Sequence, residues 1–180
     1  CDSSEPVSAF VFKTIVDPFV GKMSYLKVMS GTLSSDCELI NATTGQTEKI
    51  GKLYKLMGKK QIEVSSANAG DIAVTTKINA NTSETLCDSS RIVSFAEIEF
   101  PKPCYSMSAR AKTQGDESKI SAGIKRLLEE DLTLTYIQDL FTGEQILSGL
   151  GEQHLESATT KLKSKFGADV DLSIPKIAYK

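Results

Sequence analysis

The stretch FPKPCYSMSARA, Phe100 to Ala111, divides the chain into two patterns. Pro101 and Pro103 cannot donate to a sheet ladder and stiffen the backbone, so they mark a seam between domains. The residues after them, Cys104 to Ala111, alternate as a strand and open a new periodicity. This reading places one domain over residues 1–98 and a second over 99–180.

Downstream of the seam the order is β-α-β-β-α-β. Ile120, Ile124, Leu127 and Leu128 fall at i, i+4, i+7 and i+8, one face of a helix whose start is marked by Asp116. Two short runs follow, Leu134 to Leu140 and Gln145 to Ser148, joined by a glycine-containing turn at Phe141-Thr142-Gly143-Glu144. Leu155, Ala158, Leu162 and Phe166 form a second helical stripe, closed by Gly167 where a left-handed cap is expected. Val170, Leu172 and Ile174 then alternate with acids and serine as a final strand. This predicts a ferredoxin-like α+β fold, two helices on one face of a four-stranded antiparallel sheet.

Upstream, from Ser8 to about Val93, turn chemistry recurs roughly every ten residues: Asp17-Pro18, Ser30-Gly31, Asn41 to Gly45, Asn68 to Asp71, Asn79 to Ser83 and Asp88 to Ser90. No amphipathic helix fits between these breaks, and the pattern predicts an all-β barrel or sandwich. In the first run Phe10 and Phe12 are expected on one side, with Val11, Lys13 and Ile15 on the other.

Composition excludes several function classes. The 180 residues are 40% hydrophobic and 24% charged, with a net charge of −2. Basic and acidic residues balance in both parts, so a nucleic-acid partner must be met by a local patch. Cys1, Cys37, Cys87 and Cys104 are far apart, and one histidine cannot complete a zinc site, so reduced thiols and no metal are expected. No secretory leader or bilayer-length apolar run is visible, which points to a cytoplasmic protein without a membrane partner. A start without Met and an uncapped end at Lys180 suggest excision from something longer.

The stretch ILSGLGEQHLES, Ile146 to Ser157, tests for a nucleotide site. A dinucleotide fingerprint needs a third glycine where His154 stands, and no P-loop pattern occurs anywhere. His154 is a weak candidate for a catalyst, since Glu152 and Glu156 are too close in sequence to orient it on a helix. In a first helical turn the exposed N–H groups favour a neutral imidazole that packs, caps or meets an interface. Gly149 and Gly151 are expected to let the chain turn sharply from strand into helix. No nucleophile and base come together, so no catalytic residue is assigned.

Two further features suggest contacts. Lys49, Lys52, Lys55, Lys59 and Lys60 are interleaved with Ile50, Tyr54 and Leu56, and could neutralise phosphates or merely solvate a strand face. Asp17-Pro18-Phe19-Val20-Gly21-Lys22 places two apolar side chains at a turn tip, either as a docking surface or with Phe19 folded back as a plug. Glu129-Glu130-Asp131 at a helix end opposes the macrodipole unless a basic partner lies nearby.

Four segments in order, DPFVGKMSYLKVMSGTL (Asp17 to Leu33), AGDIAV (Ala69 to Val74), SGLGEQHLES and IPKIAY (Ile174 to Tyr179), resemble bacterial elongation factor G, a translational GTPase. The resemblance covers nearly the whole chain and implies a fragment holding the second domain, a translation-factor β-barrel, and the ferredoxin-like third. It implies a missing upstream domain carrying GTP and magnesium, with no cofactor bound here, and further domains downstream. The barrel would touch small-subunit ribosomal RNA through Asp17, Pro18, Phe19, Gly21, Lys22, Lys49, Lys52, Lys59 and Lys60. Gly149, Gly151, Glu152, His154, Leu155 and Glu156 would face the GTPase switches, where fusidic acid lodges in the family. A small-subunit protein would lie beside the third domain. The implied fragment is monomeric, binds no DNA and is no enzyme by itself.

The sequence departs from the family at Gln153, where an apolar residue is usual, at Ser83-Glu84 in place of Gly-Asp, and at Leu132 in place of proline. These departures leave open a ribosome-protection or recycling paralogue. The rival from another class is a small-molecule sensor built from a barrel and a split βαβ module.

Overall fold

The computed structural model describes residues 2–58, 60–113, 115 and 117–177. Cys1, Lys59, Asp116 and the end of the IPKIAY segment, Ala178 and Tyr179, lie outside the described residues. Two compact units form, Cys1–Ile98 and Glu99–Lys180.

In the first unit, β1 (Ser8–Asp17), β2 (Gly21–Ser30), β4 (Glu38–Asn41), β5 (Thr47–Lys49), β6 (Leu53–Met57), β7 (Lys60–Val64), β9 (Ile72–Thr76) and β10 (Thr85–Cys87) make one antiparallel sheet. Its order is β5-β4-β10-β1-β2-β9-β6-β7. A ribbon of β3 (Thr32–Ser34) and β8 (Ser66–Asn68) pairs separately. The sheet wraps barrel-fashion around one core, to which Val11, Leu26, Leu39, Leu53 and Leu86 contribute from the sheet and Leu33 and Ala67 from the ribbon. Each of these leucines contributes about 1.5–3 kcal/mol by leaving water.

The face assignment in β1 differs from the expected one. Val11 pairs with Leu26 and Lys13 with Tyr25, so Phe12 is an extra residue in a bulge. The bulge resets the alternation: Val11 is buried, Lys13 is exposed, and Thr14 and Val16 take over the inner face. Phe12 instead meets Tyr25 edge to face, with centroids 6.2 Å apart.

In the second unit, β11 (Tyr105–Ala111), β12 (Thr135–Gln138), β13 (Gln145–Gly149) and β14 (Val170–Ser173) form a sheet in the order β12-β13-β11-β14. Helices α1 (Glu117–Glu130) and α2 (Glu152–Phe166) pack against it through Ile120, Ile124, Leu127, Leu155, Ala158 and Leu162. The observed order is βαββαβ with all neighbours antiparallel. Gly167 closes α2 at φ 64°, its N–H donating to the Lys163 carbonyl while Ala168 reaches Leu162. Ile174, expected in the last strand, lies beyond it and is 84% exposed. Leu134 and Leu140 flank β12 rather than belonging to it: Leu134 is buried and Leu140 exposed.

Candidate functional site

The β1–β2 turn is built by Asp17, whose Oδ1 accepts from the backbone N–H of Phe19 at 2.8 Å and of Val20 at 2.9 Å. Gly21 completes it at φ 86°, a left-handed conformation natural to glycine. The side chain of Phe19 is thereby thrust outward, and at 96% exposure it is not a barrel plug. Lys22 bends toward the neighbouring loop, donating to the Asn79 carbonyl and to Asn81 Oδ1.

The lysine run does not form one uniform stripe. Lys49 stands on β5 opposite Glu38, and Lys60 begins the exposed strand β7. Lys52 pairs with Glu63 at 2.9 Å and Lys55 with Asp71 at 3.1 Å. The hydrogen bond to Glu63 also raises the Lys52 ammonium above its ordinary value. These exposed pairs contribute little stability and leave the ammonium groups exchangeable. Lys59 lies outside the described residues.

In the second unit, Gly149 to Glu156 form the elbow from β13 into α2. His154 organises it: its Nδ1 accepts the backbone N–H of Leu150 at 3.0 Å, and its Nε2 lies 2.9 Å from Asp131 Oδ2. A ring that accepts at Nδ1 and faces a carboxylate at Nε2 is the Nε2–H tautomer. The orienting partner is therefore present, on the end of α1 rather than on α2, where the sequence offered only Glu152 and Glu156. With both ring nitrogens engaged, no lone pair remains for a general base. Burial works to raise the Asp131 carboxyl, but hydrogen bonds from Thr133 and His154 outweigh it and hold it below its ordinary value.

The two glycines serve different ends from the expected sharp turn. Gly149 is the last residue of β13, and a Cβ there would lie 2.8 Å from His154 Nδ1 and 2.9 Å from Leu155 Cδ2. Close packing, not backbone freedom, excludes a side chain. Gly151 caps α2 with φ 173°, extended backbone open to any residue, and a Cβ there would meet nothing within 4 Å. Leu155 is wholly buried and belongs to the core, while Glu152 and Glu156 are exposed. The acidic end of α1 has the basic partners it needs, for Lys161 and Lys165 of α2 reach Glu130 at 3.4 and 3.0 Å.

A groove of about 760 Å³ opens at the other end of this sheet, lined by Arg110, Lys112, Glu117, Tyr136, Glu144 and Lys176 among others. Its nearly buried carboxylate, Glu144, accepts from Arg110 and from the Lys176 backbone N–H. The latter bond chiefly depresses it. Among the described residues no cluster could hold a metal ion. No helix among them is long and apolar enough to cross a membrane.

The family model described as "Elongation factor G domain 2" matches residues 6–89, and "Elongation Factor G, domain III" matches 100–174. The chain belongs to the elongation factor G domain families. It is 39% identical over 180 residues to elongation factor G of Thermotoga petrophila, covering 99% of this chain. It is 40% identical over 177 residues to an elongation factor G-like protein of Thermotoga maritima. A crystal structure of a Thermus thermophilus protein superposes with a TM-score of 0.84 at 32% identity over 96% of the chain. The chain spans 26% of the length of each of these proteins. The β-rich first unit and α+β second unit are thus successive elongation factor G domains.

Proposed function

We propose that the two units are the ribosome-binding, conformation-transmitting part of an elongation factor G-like GTPase that drives translocation of tRNA and mRNA in the cytoplasm. The carrying observation is that the two units match consecutive domains of one factor, in order, across almost the whole chain. GTP and magnesium belong to a domain upstream, and the chemical energy comes from there.

The Phe19 tip and the exposed ammonium groups of Lys49, Lys52 and Lys60 meet small-subunit ribosomal RNA. Asp17 and Gly21 hold the tip rather than touch the partner. The elbow from Gly149 to Glu156 meets the GTPase domain through Glu152, Glu156 and the partly exposed edge of His154, so that hydrolysis alters a contact the third domain passes on. Similarity to both an elongation factor G and an elongation factor G-like protein at nearly equal identity keeps a recycling or ribosome-protection paralogue as the second reading. The groove gives the sensor reading no comparable support, because its nearly buried carboxylate, Glu144, is already engaged by Arg110 and the Lys176 amide.

Small ribosomal subunits should bind the 180-residue chain with an affinity that falls steeply with salt. Lys49→Glu with Lys60→Glu should weaken that binding at low salt and flatten the dependence. Binding that ignores both salt and these substitutions overturns the reading, as does tight GTP binding by the chain alone.

A further inference from the structure

We propose that residues 92–98 form a releasable strap: docked on the outside of β10, it fixes where the chain leaves the barrel, and its release lengthens the free connection to the second unit. Leu86 points into the core, so its neighbours Thr85 and Cys87 point outward, yet both are wholly buried. The Thr85 hydroxyl shows what covers it, for it accepts the Phe95 N–H at 3.0 Å. The Phe95 ring turns onto Phe10, the β1 residue opposite Thr85, edge to face with centroids 6.2 Å apart. Further along, the Ile98 N–H donates to Ser83 Oγ at 3.2 Å. Ser83 stands at φ 77°, a left-handed conformation that a side chain makes costly and glycine adopts freely. The turn imposes it, with the Ser83 N–H on the Val11 carbonyl at 2.7 Å and the Glu84 N–H on the Asn81 carbonyl at 3.2 Å. What serine offers over glycine at such a position is its hydroxyl, and the bond that hydroxyl makes is to Ile98.

The strap is built to come off as one piece. It starts after a pinned corner, where the Asp88 N–H reaches the Val7 carbonyl at 2.9 Å, the Arg91 N–H reaches the Asp88 carbonyl at 3.1 Å, and Arg91 pairs with Glu5 at 3.0 Å. Beyond the corner, residues 92–98 belong to no strand. Their two docking amides bond to side-chain hydroxyls, and Ile92, Ala96, Glu97 and Ile98 are exposed. A segment held by two such bonds and one half-buried ring opens locally, without unfolding the barrel. Docked, the chain is free only after Ile98; released, it is free from Ile92 onward. On the conformation-transmitting reading, on which this role rests, a docked strap makes the second unit follow the barrel, whereas the longer tether passes on less of a displacement.

Hydrogen exchange and nitrogen relaxation, measured by NMR on the 180-residue chain with Ser83→Gly and Thr85→Val, test the strap. Each substitution removes one acceptor; glycine suits the left-handed turn and valine keeps the shape of threonine. In the unaltered chain the Phe95 and Ile98 amides should exchange more slowly than in an unstructured chain but faster than Leu26 in the middle of β2. Ser83→Gly should speed Phe95, whose own acceptor is intact, roughly 3- to 10-fold, the worth of one hydrogen bond, and Thr85→Val should do the same to Ile98. Effects confined to the amide that lost its acceptor mean two separate bonds and no strap. Exchange of both amides at the Leu26 rate means a segment that opens only with the barrel. Either result overturns the proposal. With both substitutions together, the tumbling times of the two units should shorten toward those of the separate 1–98 and 99–180 polypeptides. Unshortened tumbling with the strap open refutes the coupling role. The ribosome-binding reading stands or falls by its salt titration against ribosomal subunits, so its failure is distinguishable from failure of the strap.

Discussion

His154 satisfies two polar groups at once, the orphan N–H of Leu150 at the start of α2 and the Asp131 carboxylate at the end of α1. Its ring fits because Gly149 has no side chain. Gly149→Ala puts a methyl 2.8 Å from Nδ1. The variant should cost the second unit about 2 kcal/mol, as overpacking typically does, read as a lower urea midpoint by circular dichroism. The Leu150 amide should exchange faster in the same variant. Asp131 is one of the carboxylates, with Glu144, that give the second unit its pH response. Its carboxyl lies lower when folded than when unfolded, so its contribution is present above the unfolded value and is lost as pH falls through the folded one. The second unit should therefore lose stability below about pH 4, and Asp131→Asn should be less stable at neutral pH but flatter across the acid range. An unchanged acid slope in Asp131→Asn would refute this assignment.

Among the elements, the corner from β2 into the β3 ribbon is the least tolerant. Gly31 sits at φ 71°, and a Cβ would meet the Glu5 carbonyl oxygen and Val7 Cα, each at 2.6 Å. These are backbone atoms and cannot swing aside, so Gly31→Ala should destabilise the barrel by about 3 kcal/mol or more. Gly151→Ala, with open space and an extended φ, should cost only about 1 kcal/mol, the preference of an N-cap for glycine over alanine. Equal denaturation midpoints for the two variants would contradict this contrast. Sequence periodicity carried the elements well. The stripes Ile120-Ile124-Leu127 and Leu155-Ala158-Leu162 mark real buried faces, and the turn residues mark real corners. The bulge at Phe12 was not legible, because an extra residue in a strand is defined by the register of its partner, Tyr25 to Leu26. The His154–Asp131 bond was equally hidden, since it joins the ends of two helices 23 residues apart in sequence. The acidic run Glu129-Glu130-Asp131 gave the only hint, through its need for basic partners.

At the scale of the whole chain, each unit holds its own core. Leu26, Leu33, Leu39, Leu53 and Leu86 form one cluster; Ile124, Leu127, Leu147, Leu155 and Leu162 form another, with no shared member. Sequence-local closure reinforces the division, for every strand pairs within its own unit. Domains that close their cores separately fold separately. Residues 1–98 and 99–180, expressed as two polypeptides, should each unfold cooperatively. The chain has no tryptophan, so far-ultraviolet circular dichroism is the suitable probe. At roughly 0.7 kcal/mol per residue near 60 °C, the first piece should show an unfolding enthalpy of about 69 kcal/mol and the second about 57 kcal/mol. That independence is also what the proposed mechanical role requires, since a part passes on a displacement only if it keeps its own shape. A coil spectrum for either polypeptide under conditions where the intact chain is folded would show that its core depends on the other unit. It would remove the basis for treating the two as rigid bodies.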